Sequence, residues 1–279
     1  DRLGTTLGDY AVLLDRDLAE LAVSELRYSY LANVNGRWLF GDEPDGVSTE
    51  RPLNPVPADY QEPGVGPGLH GPSAAKPGDG IRQTWWVVVS VEDYQTMTAN
   101  DPEWIWDDLP GTRKDSNDLA DYAKKDLRTP DDQYVSVHDK PKDNVEVRRQ
   151  TMLDAIRSLK GKADADDNVV VVFSGHGSLK PSGSPYIALN GDYMSPVALG
   201  QALDEVGAGT SYFINDSCHS QAFNEGVNTA NTTFVGFAGT QTAKISHDTA
   251  SGGELIKGLK EQLRKCNSLG RSMELTEQL

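Results

Sequence analysis

The sequence predicts an α/β fold, a three-layer α/β/α sandwich built around a mostly parallel sheet. From residue 81 onward, short apolar runs rich in β-branched residues alternate with segments whose apolar residues recur at helical spacing. Strands and helices that alternate at these lengths form crossover connections, which make the sheet parallel and place helices on both faces. The 279 residues suffice for one large domain, or for one domain with an extension.

Five strands are predicted from apolar runs. The run Trp85-Trp86-Val87-Val88-Val89 and the run 169–173 are apolar throughout, which is typical of strands covered on both faces. With three further runs, the predicted strands are residues 85–89, 133–137, 168–173, 211–215 and 233–238.

Helices are predicted between these strands. Ser195 is a suitable N-cap, Pro196 suits the first helical position and Gly207 is a suitable C-terminal stop. The predicted helices are residues 115–127, 144–160, 196–206 and 254–263. The helix predicted over residues 115–127 has one apolar face, formed by Leu119, Tyr122, Ala123 and Leu127.

Residues 1–80 are predicted to form an N-terminal extension, and residues 81–279 the main domain. Within the extension, residues 9–31 carry leucines at helical spacing, whereas residues 41–80 are rich in proline, glycine and acidic residues without periodicity. Irregular segments of this length are usually functional or disordered. We hypothesise that residues 41–80 cover part of a functional cleft in the main domain.

The composition argues against several functional classes. A formal net charge of −16 would repel the phosphates of nucleic acid. The longest apolar runs are far shorter than a membrane span, and the first residues lack the pattern of a signal peptide. Because two cysteines do not form a disulfide framework, a reducing compartment is the simpler interpretation. We therefore predict a cytoplasmic protein with neither nucleic acid nor membrane as partner.

Two chemically active residues follow neighbouring predicted strands. His176 follows the third strand within Ser174-Gly175-His176-Gly177, and Cys218 follows the fourth within Asp216-Ser217-Cys218-His219-Ser220. In parallel α/β sheets, functional residues gather beyond the carboxyl ends of the strands. We therefore expect the imidazole and the thiol to meet at one edge of the sheet.

A thiol and an imidazole placed together have a well-defined chemistry. The thiolate is the nucleophilic form of cysteine, and an imidazole can generate it and later protonate a leaving amine. The oxyanion that forms needs preorganised donors, for which the backbone N–H groups of Gly177 and Cys218 are candidates. We also expect Cys218 to open a helix, whose dipole would favour the thiolate.

The motifs around His176 and Cys218 resemble the two catalytic motifs of metacaspases, including bacterial orthocaspases. The resemblance spans about Trp85 to Leu263, so the extension lies outside it. It implies a caspase-like catalytic domain over residues 81–279, a Cys–His dyad, an acyl-enzyme intermediate and no cofactor for the chemistry. Further matching segments are Leu109-Pro110-Gly111-Thr112 with Asp115, Gln241-Thr242, Ser246-His247-Asp248 and Gly252-Gly253.

Metacaspases cleave after Arg or Lys, and the resemblance extends to the carboxylates that bind these side chains. Asp216 and Asp115 stand at the two positions that line this pocket in the family. The predicted partners are thus proteins or peptides with a basic residue before the cleaved bond. Two structural alternatives stay open: Asp115 could cap the helix that is predicted to begin there, and Asp216 could orient the backbone at the strand end.

Some metacaspases require calcium, so Ca2+ is a candidate activator here. The acidic candidates do not have the spacing of an EF-hand loop, and the sequence leaves calcium dependence and any metal ligand undecided. They are Asp192, Asp204, Glu205 and Glu225.

The sequence also departs from the family. Gln221 replaces a glycine that usually follows the cysteine motif, and Gly239 and Thr240 stand where a cysteine and an aspartate are common. The interval between His176 and Cys218 is short for the family. These departures keep alternatives open: a caspase-fold pseudo-enzyme that acts by binding, or a peptidase of different or legumain-like specificity.

Single residues have structural alternatives too. Cys218 could be a buried thiol, His176 could be satisfied by backbone in a glycine turn, and His219 is expected to be structural. Zinc binding by these three residues lacks a supporting spacing. The tryptophans Trp104 and Trp106 could either wall a cleft or pack a loop. If the protein is a peptidase, residues 41–80 could be a pro-segment that self-cleavage removes.

Overall fold

The structure is a computed structural model of the chain. It describes residues 33–34, 37–38, 56–63, 76–100, 106–139, 146–239, 248–249, 252–253 and 255–256. The helix predicted over residues 9–31 and all but two residues of the helix predicted over 254–263 lie outside these ranges.

A seven-stranded, mostly parallel sheet forms the centre of the molecule, and five of its strands are those that the sequence predicts. Its spatial order is β2-β1-β10-β9-β5-β3-β4, and the five strands from β10 to β4 run parallel. The strands are β1 (Asn33–Val34), β2 (Arg37–Trp38), β3 (Thr84–Ser90), β4 (Tyr134–His138), β5 (Asn168–Ser174), β9 (Thr210–Asp216) and β10 (Thr233–Ala238). Each of the five predicted strands is therefore confirmed to within one residue at each end.

Helices cover the sheet, which confirms the α/β class. They are α1 (Gln95–Asn100), α2 (Pro110–Asp121), α3 (Arg149–Arg157), α4 (Pro196–Val206) and α5 (Ser220–Gly226). The hydroxyl of Ser195 accepts the N–H of Ala198, and Gly207 ends α4 in the left-handed conformation, so the predicted caps are confirmed.

Two predicted helices have different bounds in the structure. Helix α2 begins at Pro110 rather than at residue 115, and a π-helical turn, Tyr122–Asp126, extends it. Leu127 follows that turn and is exposed, so its predicted place on the buried face is wrong. Helix α3 spans Arg149–Arg157, within the predicted range 144–160. The glycine at position 111, a poor helix former, hides the start of α2 from pattern analysis.

The core depends on the alternation of side chains along the strands. Odd-numbered residues of β3 and β5 pack with α3, α4 and α5, and even-numbered residues are equally buried toward the opposite layer. Burial on both faces explains why the strands are continuous apolar runs. The core between the odd-numbered strand residues and these helices includes Val87, Val89, Val171, Met152, Ile156, Leu199, Leu203, Phe213 and Phe223.

A second, antiparallel sheet follows β5 directly and was not predicted. Its strands are β6 (Gly177–Leu179), β7 (Pro185–Leu189) and β8 (Asp192–Met194), paired in that order. Strands of three to five residues give no clear periodic pattern. Because β6 begins at Gly177, this small sheet continues the segment that carries His176.

Residues 56–63 belong to the predicted extension and lie against the small sheet. The N–H of Val56 donates to the carbonyl of Leu179 at 3.0 Å, and the hydroxyl of Tyr60 lies 2.6 Å from Oδ1 of Asp192. Strand β1, Asn33 and Val34, also belongs to the predicted extension, and it pairs with β10. The division of the chain at residue 80 stays a prediction.

Among the described residues, the longest helices fall short of the length and apolar character that a membrane span requires.

Candidate active site

The segments that carry His176 and Cys218 leave adjacent parallel strands at the same edge of the sheet. β5 pairs with β9, and Ser174 lies directly opposite Asp216 at their carboxyl ends. Just beyond, the N–H of Gly175 donates to the carbonyl of Asp216 at 3.3 Å. The predicted adjacency of the two strands is therefore confirmed.

Gly177 brings the two segments into direct contact. A Cβ atom built on Gly177 would lie 2.0 Å from the carbonyl oxygen of Cys218 and 2.8 Å from Oγ of Ser217. No side chain can occupy that space without moving the backbone. The residue after His176 thus packs on the backbone of Cys218 itself.

The imidazole of His176 is oriented by a backbone carbonyl. Its Nε2 lies 2.8 Å from the carbonyl oxygen of Asp107. Because a carbonyl can only accept, Nε2 carries the proton in this pair, and Nδ1 of a neutral ring is left as the base. This partner could not be predicted from the sequence, because a backbone group in a loop leaves no residue-type signal.

Aromatic rings surround the imidazole. Its centroid lies 4.5 Å from that of Tyr94 and 5.3 Å from that of Trp106. Although the residue is only half-buried by area, this burial lowers the pKa of His176 below its ordinary value. Because its pKa is lowered, the imidazole stays neutral at lower pH, and the neutral ring is the form that can accept a proton. Trp106 is itself buried, which favours loop packing over a cleft wall, whereas Trp104 lies outside the described residues.

The thiol of Cys218 is half-buried, and the residue precedes a short helix. The expectation that it opens this helix is wrong: α5 begins at Ser220, and its cap is His219. His219 is buried and has a φ of 55°, a left-handed conformation that turns the chain into the helix. Its position is thus that of a structural residue, as expected.

Buried polar groups support the backbone next to the thiol. Oγ of Ser217 donates to Oδ1 of Asn215 at 2.7 Å, and Nδ2 of Asn215 lies 3.4 Å from Oδ1 of Asn224 in α5. These bonds join the end of β9 to the helix on either side of Cys218. Buried hydrogen bonds of this kind restrict the conformation of the loop.

The two predicted pocket carboxylates are buried near Ser174. Asp115 is 0% exposed, and its Oδ2 accepts a hydrogen bond from Oγ of Ser174 at 3.3 Å. Asp216 is 4% exposed, lies opposite Ser174 and accepts the N–H of Ile256 at 3.0 Å. Asp115 lies within α2 rather than at its start, so the N-cap alternative is wrong. The contact of Ser174 with Asp115 was not predicted.

The calcium candidates are separated and engaged elsewhere. Asp192 lies by Tyr60 and Arg149, Asp204 accepts backbone N–H groups of residues 230 and 231, Glu205 pairs with Arg157, and Glu225 lies by Gln221. Within the described ranges, no three of these carboxylates come together. A different cluster of three carboxylates is present in these ranges, at the opposite end of β5 from His176. It consists of Asp79, Asp164 and Asp166.

Comparison with known proteins identifies the class. The chain matches the caspase domain family over residues 85–279, and its parallel sheet with covering helices fits that domain. The chain therefore belongs to the caspase domain family, which confirms the family-level resemblance and supports a cysteine peptidase with protein substrates. The matched segment begins at the second residue of β3.

Several solved structures are similar to part of the chain, and one of them illustrates the extent of the match. It is the crystal structure of a Geobacter sulfurreducens protein, with 15% identity and a TM-score of 0.47, covering 63% of this chain and 79% of that one. Among curated proteins, none matches the chain significantly.

Proposed function

We propose that the protein is a metacaspase-type cysteine endopeptidase that cleaves peptide bonds after Arg or Lys, with Cys218 as nucleophile and His176 as base. The observation that carries this proposal is the packing of Gly177 on the carbonyl of Cys218. It joins the two motif segments at one edge of the sheet. The carbonyl of Asp107 then selects the tautomer in which Nδ1 can take the thiol proton.

Acylation begins with transfer of the thiol proton to Nδ1 of His176. The thiolate attacks the carbonyl carbon of the substrate, and the carbonyl π electrons move to oxygen. The backbone N–H groups of Gly177 and Cys218 are the proposed donors to this oxyanion. One feature supports Gly177: the ladder bond from Ala188 to the carbonyl of His176 makes Gly177 and Ile187 a non-hydrogen-bonded pair, so its N–H points away from β7.

In the remaining steps the same imidazole acts first as an acid and then as a base. The imidazolium gives its proton to the leaving amine as the C–N bond breaks, which leaves a thioester on Cys218. Water then loses a proton to the imidazole and attacks the thioester carbonyl. Collapse of this second tetrahedral intermediate expels the thiolate and releases the new carboxylate. The low pKa of His176 suits the steps in which it is the base.

The proposed specificity depends on Asp115 and Asp216. Both carboxylates are buried, one hydrogen-bonded to Ser174 and the other on the residue opposite it, and a guanidinium or an ammonium would bring opposite charge to them. A side chain of the same charge, such as Asp, would be repelled there. Arg can form two parallel hydrogen bonds to a carboxylate, so we expect Arg to be preferred over Lys.

A fluorogenic peptide panel tests this proposal. Peptides with Arg, Lys, Asp or Asn before the cleaved bond are assayed with and without calcium, because calcium activation stays a prediction. Cys218→Ala and His176→Ala should each lower kcat/KM on the Arg peptide by at least about 1,000-fold. Cys266→Ser is the matched thiol control and should retain activity. A wild-type protein that cleaves no peptide and resists thiol-directed probes would contradict the proposal.

The same panel tests the pocket. Asp115→Asn and Asp216→Asn should each lower kcat/KM on Arg and Lys peptides by about 100-fold, since each removes one partner of a desolvated charge pair. Asp132→Asn, on an exposed residue, is the matched control. Unfolding midpoints separate this effect from instability. Unchanged Arg preference in folded Asp216→Asn protein would refute the pocket, and preference for Asp or Asn peptides would favour a different specificity.

A further inference from the structure

The hydrogen-bond ladder of the small sheet is interrupted at His176. The register of β6 and β7 places Gly177 opposite Ile187, so His176 faces Ala188. The N–H of Ala188 donates to the carbonyl of His176 at 2.9 Å. In an antiparallel pair of this kind, the reciprocal bond runs from the N–H of the first residue to the carbonyl of the second.

The hydroxyl of Tyr94 replaces that reciprocal bond. It accepts the N–H of His176 at 2.8 Å and donates to the carbonyl of Ala188 at 3.2 Å. One phenol therefore satisfies both groups that would otherwise pair with each other. Its oxygen holds the two strands apart at the position of the histidine.

The phenol is held from outside the small sheet. Tyr94 is 0% exposed, and its own N–H donates to Oδ1 of Asp108 at 2.9 Å. The two preceding residues, Glu92 and Asp93, donate their N–H groups to the buried carboxylate of Asp139 at 2.7 and 3.2 Å. The position of the hydroxyl is thus set by the loop after β3 rather than by β6 or β7.

Tyr94 also contacts the imidazole directly. The two ring centroids lie 4.5 Å apart in an edge-on arrangement. Trp106 stacks with Tyr94 and meets the imidazole edge-on. Tyr94 therefore holds the backbone of His176 through its hydroxyl and the side chain through its ring. A packed aromatic ring alone would constrain only the side chain.

We propose that Tyr94 is a positioning residue, whose hydroxyl spaces β6 from β7 and thereby holds His176 in register with Cys218. This inference rests on the proposed function of the Cys–His pair. Without the hydroxyl, the N–H of His176 and the carbonyl of Ala188 must either pair directly or lose a partner inside the protein. Direct pairing would draw the histidine peptide toward β7 and move Nδ1 relative to the thiol.

Tyr94→Phe tests the proposal, because it removes the oxygen and keeps the ring. We expect kcat to fall by about 10- to 100-fold with little change in KM, since a small misplacement of a catalytic group has this effect. The pH dependence of kcat, and of Cys218 alkylation by iodoacetamide, should shift. Tyr212→Phe, which removes a buried phenol from the middle of β9, is the matched control and should leave these profiles unchanged.

A measurement without catalysis separates this proposal from the proposed function. In a Cys218→Ala background, the ring resonances of His176 are titrated by NMR with and without Tyr94→Phe, and assigned with His176→Ala. A changed midpoint or ring shift supports positioning even if no peptide is cleaved. Identical titrations, with a wild-type pH profile in the active protein, would overturn it. If Tyr94→Phe does not fold, Asp139→Asn loosens residues 92 and 93 instead, and an unchanged His176 titration there would equally overturn it.

Discussion

At Gly177, the geometry of the candidate site depends on the absence of a Cβ atom. The position follows the proposed base, begins β6 and contacts the carbonyl of the proposed nucleophile. Glycine is needed here for close approach of two backbones rather than for an unusual φ. The glycine of the histidine motif thus has a physical reason that depends on a segment 41 residues away, since 218 − 177 = 41.

We predict that Gly177→Ala strongly lowers the activity of the protein without unfolding it. The new Cβ would lie 2.0 Å from the Cys218 oxygen, so β6 or the cysteine loop must move. We expect kcat/KM on an Arg peptide to fall by about 100-fold. Stability should fall by about 1–3 kcal/mol, the usual effect of overpacking. Peptide hydrolysis and urea unfolding measure the two effects.

The matched control is Gly183→Ala, in the turn between β6 and β7. Space at Gly183 is open, and its φ is 87°, so only backbone strain of about 1–2 kcal/mol is expected there. Activity should stay within about twofold of wild type, because this turn lies away from the thiol. Equal losses of activity in both variants would show that the contact with Cys218 is not what matters.

At the level of elements, the small sheet is held by the strap, which we define as residues 56–63. Lys180 donates to the carbonyl of Tyr60 at 2.6 Å, and Arg149 donates to the carbonyl of Pro63 at 2.6 Å. The carboxylate of Glu62 accepts the N–H of Ser195 at the start of α4. The strap therefore joins β6, β8 and two helices. The hypothesis that residues 41–80 cover the cleft stays a prediction.

We predict that Tyr60→Phe loosens the strap. The Tyr60 hydroxyl lies 2.6 Å from Oδ1 of Asp192 and 2.9 Å from the carbonyl of Tyr193. A hydrogen bond to a charged group contributes about 1.5–3 kcal/mol, so unfolding free energy should fall by about that amount. Tyr134→Phe is the matched control, because its hydroxyl lies 3.5 Å from the carbonyl of Ser116, a much longer contact than those of Tyr60.

Urea unfolding and limited proteolysis measure this difference. Cleavage within residues 56–63 should become faster in Tyr60→Phe than in Tyr134→Phe, since local opening exposes the strap before the core. If the two variants unfold at the same urea concentration, the Tyr60 hydroxyl does not hold the strap.

For the whole molecule, the dominant property is the net charge of −16. A strongly acidic protein attracts cationic substrates over distances of about 10 Å at moderate salt. The proposed pocket carboxylates, Asp115 and Asp216, have the same sign as this overall field. Long-range attraction and local recognition would therefore favour the same basic peptides.

We predict that salt weakens cleavage of basic peptides through KM. For a peptide with several basic residues, kcat/KM should fall by about threefold to tenfold between low and high ionic strength, with kcat nearly constant. A neutral peptide with the same Arg at the cleaved bond is the control and should respond much less. Steady-state kinetics across a salt series decides this, and an equal response of both peptides would argue against steering.

The sequence by itself determined the five parallel strands of the main sheet, the caps of α4 and the edge at which His176 and Cys218 emerge. These follow from local patterns: apolar runs for strands covered on both faces, Ser195 and Gly207 for helix ends, and strand order for the edge. Helix α2 was misplaced because Gly111 weakens its local signal.

Only the tertiary structure decided how the site is held. The hydroxyl bridge from Tyr94 to Ala188 spans 94 positions, the carbonyl of Asp107 reaches His176 across 69, and Ser174 meets Asp115 across 59. Such contacts arise when distant segments pack, and the residues involved carry no local pattern that distinguishes them. The contacts of a backbone carbonyl, or the close approach that a glycine allows, cannot be predicted from residue types. The interactions that orient the proposed base are therefore known only from the folded structure.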